Sequence, residues 1–241
     1  MTISVFSFDW PGRLDVANIA SFAMSLFSDK NQKILITGGP SKRSVKIKLC
    51  DLMDLVKTSF FSGLEVLNGK GFVNYFYFFE NSLTGSKTIV VSVNDGMIGS
   101  FDVRVKEIID RMDLLGLVGY GMVMDEPEPV YYAMGIIDGI PETREQMDRA
   151  NKLSEWNFER IRKGMGHFRH LKGFFRDIYP INFLNDNHLA ADFSGVSLRE
   201  RVECDSRFGV LTKLSTCWLW CPRPGNIKEI REMARASGAL L

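Results

Sequence analysis

Two rhythms of apolar residues run along this 241-residue chain, one with a period of two and one with a period of three to four. Ile3, Val5 and Phe6/Phe8 alternate imperfectly with polar neighbours and predict an opening strand over residues 2–8, ended by Pro11-Gly12. From Leu14 to Phe27 the apolar set Val16, Ile19, Ala20, Ala23 and Phe27 returns at helical spacing. Ile34 to Thr37 predicts a short strand, and Gly38-Gly39-Pro40-Ser41 a loop. Asp51 can cap a helix carrying Leu52, Leu55, Val56 and Phe60, with Gly63 near its end.

The middle of the chain favours strands. Phe72 to Phe79 is almost wholly apolar, as in a strand covered on both faces. Thr88 to Val93 is β-branched and follows a Thr84-Gly85 turn, so the two segments predict a hairpin. Asn94-Asp95-Gly96 signals a further turn before a predicted strand from Met97 to Val105. Glu107 to Leu115 reads as helix, and Leu117–Met124 and Val130–Ile137 as strands.

The last third turns more helical. Pro141 to Lys163 is a predicted helix ended by Gly164 and Gly166. Ser197 with Glu200, and Asn226 with Glu229, have the spacing of capping boxes, each opening a helix; the second is closed at Gly238. Gly209 to Leu214 and Trp218 to Cys221 predict a strand pair. Helices and strands mix without regular βαβ alternation. The expected class is therefore α+β, a mixed, mainly antiparallel sheet packed with several amphipathic helices. One domain spanning 1–241 is expected, with 1–140 and 141–241 as its natural sub-division.

Composition narrows the function classes. Hydrophobic residues are 45% and charged residues 24%, which suits a globular chain with a real core and excludes collagen, wholesale disorder and a disulfide scaffold. Thirty Lys+Arg against 29 Asp+Glu leave a net charge of +1, which argues against a general binder of nucleic acid. The first residues lack the basic and apolar regions of a secretory signal, and glycines at 116, 119 and 121 break the longest apolar run short of a membrane span. Cys50, Cys204, Cys217 and Cys221 are irregularly spaced. Free thiols in a reducing cytoplasm are expected, with no membrane association.

Candidate chemistry is sparse. Gly38 to Ser44 contains Gly, Lys and Ser, but Ser41 stands where a phosphate loop needs Gly, and Pro40 removes an amide donor. His167 and His170, three apart, and the more distant His188 lack a motif that would place a third metal ligand. Cys217 and Cys221 are too far apart for a Cys-x-x-Cys site, so core cysteines are expected. No Gly-x-Ser-x-Gly elbow is present. A non-enzyme with no cofactor and no metal is expected; the alternative is a small-molecule enzyme using one of the three histidines as acid–base group. Asp125, Glu126 and Glu128 differ from the other carboxylates. With Pro127 and Pro129 between and after them, they predict a constrained acidic connection able to meet a basic partner surface.

The C-terminal region carries a resemblance. Asp177-Ile178-Tyr179-Pro180-Ile181-Asn182-Phe183-Leu184 precedes His188-Leu189; Ser197 to Glu203, Gly209 to Leu214, Trp218-Leu219-Trp220, Ile227 to Arg231 and Ser237 to Leu241 follow. This order of capped helix, Gly-x-Leu strand, aromatic strand and closing amphipathic helix resembles bacterial immunity proteins of polymorphic toxin systems, most closely the Immunity protein 52 type. Phe8 to Arg13 is similar to the aromatic-and-Arg opening of that type. The resemblance implies a cytoplasmic, non-catalytic α+β protein. It would bind and neutralise a cognate toxin domain, usually a nuclease delivered by type VI secretion, without touching nucleic acid itself. An effector-loading adaptor or chaperone would meet the same partner without inhibiting it.

Overall fold

The computed structural model describes residues 3–10, 15–27, 32–37, 45–58, 61, 63–67, 75–80, 87–94, 101–112, 119–126, 172–175 and 177–240. The strands are β1 (Ile3–Trp10), β2 (Lys33–Thr37), β3 (Val45–Lys48), β4 (Gly63–Leu67), β5 (Tyr75–Glu80), β6 (Lys87–Asn94), β7 (Tyr120–Glu126), β8 (Ile181–Leu184), β9 (Val210–Lys213) and β10 (Trp218–Cys221). The helices are α1 (Val16–Leu26), α2 (Leu52–Thr58), α3 (Phe101–Arg111), α4 (Asp186–Leu189), α5 (Leu198–Cys204) and α6 (Ile227–Ala236). The strands form one ten-stranded sheet in the order β3-β2-β4-β5-β6-β1-β7-β8-β10-β9. Every pairing among them is antiparallel, as expected for an α+β fold.

The helix α1 follows from its pattern. Asp15 accepts the Ala17 amide at 2.8 Å as N-cap, and Ile19, Ala20, Phe22, Ala23 and Leu26 are buried. They join Leu49, Leu52, Ile34, Ile36, Leu64, Val66, Ile89 and Val91 in a first core on one face of the sheet. A second core gathers Tyr120, Phe175, Leu184, Phe193, Leu198, Phe208, Trp220, Ile230 and Ala234. The two meet at β8, whose four residues are all buried. Successive strand residues point to opposite faces, so Phe183 enters the first core and Leu184 the second.

Several elements differ from the sequence reading. The strand expected over Met97–Val105 is instead the start of α3, within the described residues. Val105, Ile108 and Met112, spaced by three and four, are buried, whereas Val103 is 47% exposed; a strand would have put Val103 and Val105 on one face. Asp51 lies inside a 3-10 turn, Leu49–Asp51, rather than capping α2. Gly63 opens β4 instead of closing a helix. Asn226 forms no cap because the turn Pro224–Asn226 leads directly into α6 and holds Asn226 in a helical conformation. Strands β3, β4 and β8 were not expected. Residues 38–44, 130–137 and 141–163 lie outside the described residues.

Candidate functional site

The acidic residues picked out in the sequence fall partly on regular structure. Strand β7 runs two residues beyond its expected end, because β1 continues to pair with it: Ser4 opposes Asp125 and Ile3 opposes Glu126. The backbone of these two residues therefore belongs to the sheet rather than to a connection. Glu128, with His167 and His170, lies outside the described residues.

His188 is fully buried. Its ring stacks on Tyr120 at 5.2 Å between centroids and meets the edge of Phe175 at the same distance. Its Nδ1 lies 3.3 Å from the Asn185 amide, which donates to it, completing the capping box of α4. This is the setting of a core aromatic residue. Among the described residues no group of three His, Cys, Asp or Glu could hold a metal ion. Cys217 is buried; burial pushes the half-buried Cys221 thiol up from its ordinary value, which disfavours the thiolate that metal binding or nucleophilic attack requires.

A different surface assembles around Trp218. The β9–β10 hairpin sets Trp218 opposite Lys213, and β8 sets it opposite Leu184 on its other side. Its indole body packs at the margin of the second core, and its N–H donates to Asp186 Oδ1 at 2.7 Å. The Lys213 ammonium lies 4.6 Å from the ring centroid, and the Arg199 guanidinium carbon 5.0 Å. Lys213 also reaches Asp186 at 3.8 Å. Each cation–π contact at such an exposed position contributes about 0.5–1 kcal/mol. Together they hold a half-buried tryptophan in one orientation at the edge of the sheet. Asp186 also lines an open cleft of about 550 Å³, shared with Lys172, Gly173, Asn187, Asp192 and Ser237. The Ser237 hydroxyl donates to the Asp192 carbonyl at 2.6 Å, so it serves the backbone rather than a base that would activate it.

The C-terminal elements are also tied by charged groups. Arg207 bridges Asp205 and Glu229, and Arg231 joins Asp177 and the Ile178 carbonyl. Hydrogen bonds from the Arg207 side chain, then from its backbone amide, hold the Asp205 carboxyl below the usual carboxylate range. Sequence reading placed Trp218 on a strand but gave no sign of the cluster, whose partners come from α4, α5 and β9.

No protein-family model matches the chain, and no curated protein matches it. Among solved structures it is similar to the Pseudomonas aeruginosa T6SS protein PA0821, with a TM-score of 0.57 and 10% sequence identity, over 96% of this chain and 75% of that one. At this identity the likeness speaks for the fold. Among the described residues no helix is long and apolar enough to cross a membrane.

Proposed function

We propose that this protein is an immunity-type partner of a type VI secretion toxin, binding a cognate toxin domain, a nuclease in the first instance, and neutralising it. The observation that carries the reading is the fold likeness to a T6SS protein along 96% of the chain. The C-terminal motif order, similar to the Immunity protein 52 type, agrees with it. The Trp218 surface supplies the contact chemistry: tryptophan and arginine dominate binding hot spots, and a side chain already held in place loses little entropy on association.

The test is co-expression with each neighbouring toxin-like gene. The wild-type chain should restore growth against one of them, and purified protein should stop that toxin's DNA cleavage. Trp218→Ala should weaken binding by about 2 kcal/mol or more, roughly thirty-fold in Kd, while the protein stays folded. Binding that leaves cleavage intact would identify an effector-loading adaptor instead. Growth arrest by every neighbouring gene regardless of this protein would exclude neutralisation, and absence of binding to any of their products would exclude both.

A further inference from the structure

The opposite end of the sheet carries a cluster of exposed lysines. Strand β3 is the outermost there among the described residues, and its register with β2 sets Lys48 opposite Lys33 and Lys46 opposite Leu35. Residues two apart on a strand share a face, and so do residues directly opposite. Lys33, Lys46 and Lys48 therefore stand together around Leu35, on the face away from Ile34 and Ile36, which are buried in the first core. All three lysines are exposed, and Leu35 is half-buried.

Among the described residues none of the three ammonium groups forms an ion pair or a side-chain hydrogen bond. The stretch from Lys33 to Lys48 contains no acidic residue. Of the next carboxylates along the chain, Asp54 pairs with Lys57 at 2.8 Å, and Asp51 accepts the Cys50 thiol at 3.3 Å, where the Lys48 charge is also felt. Glu65, opposite Leu35 on β4, is the carboxylate that the register brings alongside. Like charges directly opposite on paired strands lower stability. Lysines also blunt sheet edges against aggregation. One lysine on the outer strand would serve that purpose, whereas here the second strand adds another facing it.

We infer that this lysine face is a docking surface for an acidic patch of a protein partner. Two features favour protein over nucleic acid. The face is mixed, with lysines on one side of the apolar Leu35 and Glu65 on the other, as in the charged rim around an interface centre, and all its cations are lysines, which lack the planar fork that grips phosphate in two places. The chain's balance of 30 basic and 29 acidic residues also gives no long-range attraction for a polyanion. Trp218 lies near the other end of the sheet order, so either surface can be occupied without the other.

The test uses the full chain with a fluorescent polyglutamate peptide, standing for an acidic protein surface, and a fluorescent oligothymidylate of matched charge. Anisotropy should show polyglutamate binding that weakens as salt rises from about 50 to about 300 mM. K33Q/K46Q/K48Q should weaken it about tenfold or more, the sum of three modest exposed ion pairs. The same variant should melt no lower than wild type, because it relieves the repulsion between Lys33 and Lys48. A lower melting temperature would mark the lysines as structural and overturn the inference. Unchanged peptide affinity in the variant, or no salt-sensitive binding by wild type, would also overturn it. Tighter binding of the oligonucleotide would assign the face to nucleic acid and reject the protein partner.

Discussion

Trp220→Ala is expected to destabilise the fold by about 3–5 kcal/mol, the range for emptying a fully packed tryptophan site. Trp220 is wholly buried, and its indole N–H donates to the Phe208 carbonyl at 2.7 Å. Its ring meets the edges of Phe175 and Phe193 at centroid distances of 5.7 and 6.2 Å. Removing it opens a cavity between β10 and the helices α5 and α6, and it leaves a buried carbonyl without its donor. Trp220→Phe separates the two losses. It keeps much of the volume but still orphans the carbonyl, which costs about 1–3 kcal/mol. Urea denaturation measures both. A loss below about 1 kcal/mol for the alanine variant would mean that the second core is not packed around Trp220.

This core explains the character of the C-terminal resemblance. Leu198 from the capped helix, Leu211 from the Gly-x-Leu strand, Trp218 and Trp220 from the aromatic strand, and Ile227 and Ile230 from the closing helix all pack in it. The motifs that look like a family signature are thus the scaffold of one end of the sheet. They say how the chain folds there, and Trp218 is among those that stay partly exposed.

What was legible in the sequence was local. Ser197 and Glu200 form their capping box as spaced: Ser197 Oγ accepts the Glu200 amide, and Glu200 accepts the Ser197 amide at 3.0 Å. Asn226 and Glu229 have the same spacing and form none, because Pro224 starts a turn one step earlier and Glu229 is drawn to Arg207, 22 residues away. No local pattern contains that distant partner. Strand β8 was hidden for a similar reason. Pro180 precedes it, and Asn182 interrupts its apolar run. Yet Asn182 is fully buried because its amide donates to the Tyr179 carbonyl at 2.7 Å and its oxygen accepts the Tyr179 N–H at 3.1 Å. Val45-Lys46-Ile47-Lys48 did alternate, and its signal was masked by the glycine- and proline-rich loop before it. For the Trp218 cluster, hairpin register alone could bring in Lys213. Asp186 and Arg199 arrive through the packing of α4 and α5.

The second large effect is expected at Gly209, where the hairpin passes closest to its neighbour. Its φ of 75° and ψ of −131° lie where side-chain-bearing residues are rarely found. A Cβ there would sit 2.0 Å from the Cys221 carbonyl oxygen and 2.8 Å from the Pro222 Cα. Both are backbone atoms, at the end of the paired strand and just beyond it, so no rotamer change can relieve the overlap. Gly195, with φ of 81° and nothing within 4 Å of its Cβ position, provides the control. Gly195→Ala should cost about 1–2 kcal/mol, the penalty of the left-handed backbone alone. Gly209→Ala must add the separation of β9 from β10 and should exceed it by at least about 2 kcal/mol. Because Lys213 reaches Trp218 across that hairpin, the same variant should also lose partner binding at the Trp218 surface, which Gly195→Ala leaves intact. Equal unfolding free energies for the two alanine variants would show that the strands have room at Gly209, and that its conformation rather than its contact is what the chain requires there.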